Sequence, residues 1–287
     1  MLRPRIIAAA IAIAAAAITC QAQETAETPA AASTTYQQLV RRGFDLMAAD
    51  SLAEAEHTLR QALKAEPAAP GNVLIWAHLA QIAERMGRDA EALDAYNIAI
   101  GMSPQGWGLR LNRASLHIKM GDDDRALNDY NEILYAEPDH QETLLMRAFL
   151  HRTRRRLKEA RIDYEHLLSL NPTHEEGLQG LALLNNADRR PQEAMQNINS
   201  VIALYPTHAA GYALRGGFEL ERSQYEKAEQ DFSRAIALEP ENPTLRLARA
   251  RLYQQTKRRT LAREDVRAAA RLGASREDIA AVAGVKR

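Results

Sequence analysis

The sequence predicts an all-α repeat solenoid of about seven helix pairs, closed by a short helix at the C-terminal end. Four periodic rows of residues carry that reading. Pro104, Pro138, Pro172, Pro206 and Pro240 follow one another at steps of 34 residues, with Pro67 ahead of them by 37. Small side chains keep the same beat twice over. One row is Ala55, Ala92, Ala126, Ala160, Ala194, Ala228 and Ala262, and the other is Gly43, Ala80, Ala114, Ala148, Ala182, Gly216 and Ala250. A third kind of row is mostly aromatic: Leu59, Tyr96, Tyr130, Tyr164, Ile198, Phe232 and Val266. A fixed period of this length marks an array in which each unit buries its apolar face against its neighbours.

The elements follow in order along the chain. Residues 1–22 read as a signal peptide. Arg3 and Arg5 give a positive start, and Ile6 to Ile18 is an apolar run of 13 residues. That run is too short for a bilayer, which needs about 20, and suits a secretory signal. Ala22 fits the last position before cleavage. The alternative is a lipoprotein with Cys20 lipidated, although Thr19 stands where Gly, Ala or Ser is usual. Cys20 is the sole cysteine, so cleavage after Ala22 leaves no disulfide framework and no thiol nucleophile. Residues 23–35, rich in Ala, Thr, Glu and Pro, read as a flexible linker.

From 36 to 273 the chain reads as seven helix pairs near 36–69, 73–106, 107–140, 141–174, 175–208, 209–242 and 243–273. The 37-residue first step implies a three-residue insertion near Ala68 to Asn72. Asp139 with Glu142, and Thr173 with Glu176, have capping-box spacing. Asn242 before Pro243 reads as an N-cap followed by a first helical residue. The last repeat ends in Leu272-Gly273 rather than in proline. Residues 274–287 then read as a capping helix and tail. Ser275 and Asp278 sit at its start, and Ile279, Val282 and Ala283 share one face.

These rows resemble the tetratricopeptide repeat family, whose motif has small residues at positions 8, 20 and 27, an aromatic at 24 and a proline at 32. Trp76 and Leu79 fall where that pattern prefers them, and the resemblance spans about 36 to 273. It implies a right-handed α-α solenoid of TPR helix pairs. Positions 8 and 20 then lie where two helices cross, and the aromatic fills the gap toward the next repeat. The pattern is weakest at Leu59, and at Ile198 with Pro191 nearby.

Function classes follow from what is present. The 37 basic and 37 acidic residues balance, so no basic surplus points to nucleic acid. The sequence carries no phosphate-cradling glycine loop, zinc helix or serine elbow, and the expectation is a non-catalytic chain with no cofactor and no metal. His140, His174 and His208 share one phase, but repeat spacing keeps such a ladder from closing on one ion about 2 Å away, so they read as turn residues. His117 and His151 read as packing residues.

Two candidate surfaces remain. The family's usual ligand surface is the concave face of the first helices. It implies a partner-binding groove of Leu111, Asn112, Leu145, Met146, Phe149, Arg152, Leu183, Asn186, Leu214, Leu247 and Arg251, suited to a peptide or protein partner. The family's carboxylate clamp is not matched, because Val40, Ala77 and Leu111 stand where it needs lysine. The second surface is a basic edge made by turns within the pairs: Arg154, Arg155 and Arg156; Arg189 and Arg190; Lys257, Arg258 and Arg259. Asp122, Asp123 and Asp124 occupy the matching turn of repeat 3. The expectation is an interaction scaffold, periplasmic or secreted, with no transmembrane span in the mature chain. The alternative is a lipid-anchored envelope assembly factor, or an accessory subunit of a cell-wall or outer-membrane enzyme.

Overall fold

The computed structural model describes residues 34–283. The expected signal peptide with Cys20 and Ala22, most of the linker, and the tail beyond residue 283 lie outside them. Fifteen α-helices and no strand occur among the described residues. They run α1 (Thr34–Ala48), α2 (Leu52–Ala65), α3 (Asn72–Arg85), α4 (Asp89–Met102), α5 (Trp107–Lys119), α6 (Asp123–Ala136), α7 (Gln141–Thr153), α8 (Leu157–Leu170), α9 (Glu175–Ala187), α10 (Pro191–Leu204), α11 (Ala209–Glu221), α12 (Tyr225–Leu238), α13 (Pro243–Gln255), α14 (Arg259–Arg271) and α15 (Arg276–Ala283). The first helix takes in Thr34 and Thr35, so the folded chain starts two residues earlier than the composition suggested. The chain forms two compact units that divide within α7, between Thr143 and Leu144.

In the first unit, the small residues sit where they must. Ala55, Ala80, Ala92, Ala114 and Ala126 have no exposed surface. A Cβ on Gly43 would stand 2.5 Å from Leu59 Cδ2, so only glycine admits the leucine that replaces the aromatic there. Leu59 and Ile82 belong to one buried cluster, and Tyr96 and Leu116 to another. Leu59 and Tyr96 thus each meet the helix pair that follows. The insertion is tied down by Asn72, which is 1% exposed. Its Oδ1 accepts from Tyr36 Oη at 3.0 Å, and its Nδ2 donates to the carbonyls of Glu66 and Pro67 at 2.8 and 3.0 Å.

The second unit repeats these packings with other side chains. Tyr164 and Leu184 share a cluster, as do Ile198 and Phe218, and Phe232 and Leu252. The last described helix packs Ile279 and Val282 against Leu247, Ala250 and Ala269. Ser275 Oγ accepts from the backbone N–H of Asp278 at 3.0 Å and donates to its Oδ2 at 2.8 Å, opening that helix.

Helix ends obey local chemistry. Each row proline follows a cap residue held outside the helical region, such as Ser103 (φ −134°, ψ 80°) and Tyr205 (φ −127°, ψ 62°), because proline disfavours the helical conformation in the residue before it. Asn242 caps α13 through Oδ1, which accepts from Thr244 N–H at 3.1 Å. The capping boxes expected from Asp139 and Thr173 are displaced by one residue. His174 is the N-cap of α9, accepting from Gly177 N–H at Nδ1, 3.3 Å away. His140 Nδ1 accepts from Thr143 N–H, also at 3.3 Å. An imidazole Nδ1 reaches the third amide as an aspartate oxygen does, so His140 and His174 cap their helices, while His208 stands at the N-cap position of α11 without a side-chain cap bond.

Candidate functional site

The candidate groove residues divide by unit. In the first unit only Leu111 and Asn112 belong to the set. Leu111 is 4% exposed, and Asn112 is half-buried with Nδ2 buried and unpartnered. In the second unit Leu247 is 5% exposed, inside the cluster under α15. Leu111 and Leu247 are therefore corrected from surface to core. Both sit at the fifth position of a first helix, as does half-buried Leu145, so the same register is closed over at Leu111 and Leu247 and left part-open at Leu145.

The remaining second-unit residues do reach the surface. Leu145, Met146 and Phe149 of α7, Leu183 of α9 and Leu214 of α11 are half-buried. Leu183 and Leu214 pack against one cluster built on Ala182, Ile198 and Phe218, and Leu145 against another built on Ala148 and Tyr164. Arg152 lies over the Phe149 ring at 5.2 Å and hydrogen-bonds the Tyr164 hydroxyl, while burial still holds that phenol above its ordinary pKa. Asn186 Nδ2 donates to Glu221 Oε2 at 2.8 Å. Arg251 is exposed. Apolar bodies with hydrogen-bonding heads at their margin can accept an apolar side chain and orient its backbone.

The basic edge comes from turns with one shared backbone shape. Asp50, Gly87, Gly121, Arg155, Arg189, Ser223 and Lys257 occupy one phase of the repeat, and all have positive φ. Each ends the first helix of its pair. At Gly121, the amide N–H of Gly121 donates to Ile118 and that of Asp122 to His117, at 3.0 and 2.8 Å. Arg155 and Arg156 make the same two bonds to Arg152 and His151 at 3.1 and 2.9 Å. The side chains there fare differently. Arg190 Nε pairs with Asp188 at 3.0 Å. Arg258 pairs with Glu229 at 2.5 Å and stacks 4.5 Å from the Tyr253 ring. Arg154 is half-buried. Arg155, Arg156, Arg189, Lys257 and Arg259 have no ion-pair partner among the described residues, and all five are exposed.

A third arrangement went unread in the sequence. Arg113 faces Asp129, Arg147 faces Asp163, Arg215 faces Asp231 and Arg249 faces Asp265, each pair 16 residues apart and each bridged by two bonds. The signal was there, since these arginines and aspartates hold the 34-residue beat except at Leu181 and Asn197. The aspartates are nearly buried and hold the Arg215 and Arg249 pKa values above the ordinary one. Beside them lie His117 and His151, each with a buried, unpartnered Nδ1 and a pKa lowered by burial. Glu219 is also buried, and burial with the nearby Asp231 charge raises it to about 6.

Among the described residues no group of three His, Cys, Asp or Glu side chains could hold a metal ion, and no helix is long and apolar enough to cross a membrane. His208 Nδ1 lies 2.6 Å from Glu175 Oε2, and its ring stacks on Tyr205 at 5.3 Å.

Family models described as tetratricopeptide repeat match residues 40–106, 108–140 and 219–277. A tetratricopeptide repeat protein of Parabacteroides merdae superposes with a TM-score of 0.76 at 26% identity, over 87% of this chain and 98% of that one. PilW, described as a widely conserved type IV pilus biogenesis factor, gives a TM-score of 0.58 at 14% identity over 72% and 94%. PilF of Pseudomonas aeruginosa gives 0.56 at 15% over 75% and 97%. No curated protein matches the sequence.

Proposed function

Because the chain belongs to the tetratricopeptide repeat family, we propose that it is a non-catalytic protein–protein interaction scaffold exported to the cell envelope. Its partner is a peptide or protein held on the first-helix face of the second unit. The observation that carries this is the run of half-buried Phe149, Leu183 and Leu214 on α7, α9 and α11, with Arg152, Asn186 and Arg251 as polar neighbours. Apolar groups left part-exposed on rigid helices, beside directional donors, are what an amphipathic or extended segment needs.

The test compares captured partners between the wild type and the double variant Phe149→Ala/Leu183→Ala, both loaded with envelope extract. The scaffold reading expects a specific partner to be lost from the variant while its helical circular dichroism stays intact. Retention of every partner by the folded variant would overturn it. A photo-crosslinking residue at position 146 should label the same partner.

Export rests on Arg3, Arg5 and the apolar run to Ile18. The description of one structural relative, PilW, as a type IV pilus biogenesis factor agrees with an envelope setting. Cleavage after Ala22 gives a chain starting at Gln23. A lipid on Cys20 instead gives an anchored assembly factor or accessory subunit. Intact-mass measurement of the mature protein separates the two, since only lipidation retains Cys20 as first residue with added acyl mass.

A further inference from the structure

The turn edge of the second unit faces solvent with charge that the fold itself does not neutralise. Arg155, Arg156, Arg189, Lys257 and Arg259 are exposed and lack ion-pair partners among the described residues. The acidic turns of the first unit are used up locally. Asp50 pairs with Arg85, Asp89 with Lys119 and Asp122 with Arg125, at 2.5, 2.5 and 3.2 Å. Charge is also segregated along the chain. Residues 144–287 hold 25 Lys and Arg against 18 Asp and Glu, and residues 1–143 hold 12 against 19. The neutral total hides this.

Backbone geometry fixes where these cations stand in the turn. Arg155, Arg189 and Lys257 have φ of 61°, 59° and 59°, in the left-handed region where Gly87 and Gly121 sit at the same point of their repeats. Glycine adopts that conformation freely and L-residues do not. Three long cations therefore occupy positions that the turn alone would give to glycine. Asp50 and Ser223 adopt the same conformation at φ of 60° and 59°, so it is the exposed, unpaired charge at Arg155, Arg189 and Lys257, and not the backbone, that points to docking.

We propose that this edge is a second docking surface, distinct from the first-helix face, that binds an extended acidic segment of a polypeptide. Successive turns stand about 10 Å apart, the spacing of packed helices, and a polyproline II chain rises about 3.1 Å per residue with three residues per turn, so that every third side chain shares one face. A carboxylate at every third residue thus reaches Arg155 and Arg189 in turn, and one about six residues further reaches Lys257. Guanidinium forks suit carboxylates held in such a register. Between Arg189 and Lys257 the intervening turn carries Arg222, Ser223 and Gln224 rather than a large apolar side chain to enter a bilayer, which favours a polypeptide over a lipid surface.

The probe is a labelled peptide with Glu at every third residue, separated by Gly and Ser, titrated against the full mature protein by fluorescence anisotropy. Binding is expected at about 50 mM salt and is expected to weaken at least about tenfold at about 500 mM, where screening is strong. The triple variant Arg155→Gly/Arg189→Gly/Lys257→Gly should lose at least about tenfold in affinity while its melting temperature holds or rises. That separates lost charge from lost folding. The same composition with Gln for Glu should not bind. The proposal is overturned if the glycine variant binds the peptide as the wild type does. It is also overturned if anionic phosphatidylserine vesicles bind in place of the peptide, or if salt-sensitive self-association in sedimentation occupies the edge.

Discussion

Arg215 lays its guanidinium across both carboxylate oxygens of Asp231, Nε to Oδ2 at 2.6 Å and Nη2 to Oδ1 at 2.8 Å, and its Nη1 reaches back to Asn199 at 2.9 Å. The pair thereby joins the two helices of its own repeat and the second helix of the repeat before. Arg249 does the same with Asp265 and Ser233, and Arg113 with Asp129 and Asn97. Small residues let the helices approach, and these forks fix their relative rotation.

Asp231→Ala should therefore destabilise the protein by about 3 kcal/mol, because Arg215 is left largely desolvated without its partner. Arg215→Met with Asp231→Leu should recover most of that loss, since an apolar pair of similar volume avoids the buried charge. Repeat 5 already has this solution in part, with Leu181 in the arginine position. Urea unfolding of the single and double variants measures the difference.

Arg155→Gly should stabilise the chain by about 0.5–1 kcal/mol, despite removing a large side chain. The native φ of 61° is relaxed for glycine, and the exposed guanidinium has no ion pair to lose. Greater freedom in the unfolded chain offsets part of the gain. Ser223→Gly, at the same point of the next repeat but one, should behave alike in denaturant titration.

Much of this was legible because a solenoid writes one packing problem seven times. Ala160 or Ala194 alone says little, but a row of alanines in phase locates a helix crossing. Rows of polar residues obey the same rule. Arg113, Arg147, Arg215 and Arg249 passed unnoticed because a charged residue on a helix ordinarily means solvent, and only the facing aspartates 16 residues on make them interior. The cap at His174 was misplaced onto Thr173 because threonine is the better N-cap by propensity, and the fold used the imidazole. Leu111 and Leu247 could not be assigned from periodicity, since a leucine between adjacent helices and one on an open face have the same spacing. Which of the arginines at the turns are free also depends on distant partners such as Glu229.

Stability should depend on pH through Glu219. Its folded pKa of about 6 lies above the ordinary 4.5. The proton is thus held more tightly in the folded state. Its stabilising contribution is complete below about 4.5 and lost as pH rises through about 6. Glu219→Gln, which stays neutral, should gain about 1–2 kcal/mol over wild type at pH 7.5 and little at pH 4.5. His117 and His151 act oppositely. Their folded pKa values lie below 6.5, so their contribution is present above 6.5 and lost as pH falls through the lowered values. Chemical denaturation across that range, with Glu219→Gln and His117→Phe, separates the two.

Ala160→Leu should cost about 1–3 kcal/mol by overpacking. Ala160 has no exposed surface and shares a cluster with Ala148, Tyr164 and Leu184, so the added carbons must displace the aromatic knob or the helix that carries Ala148. The same change at exposed Ala203 on α10 should be within about 0.5 kcal/mol of neutral. In an array coupled through nearest neighbours, the damage at Ala160 should also be local. Amide hydrogen exchange should speed most in α8 and α9, whose contact passes through Tyr164 and Leu184, and least in α13 and α14. Uniform acceleration across the second unit would instead mean that it unfolds as one body, and the neighbour-by-neighbour account of its stability would fail.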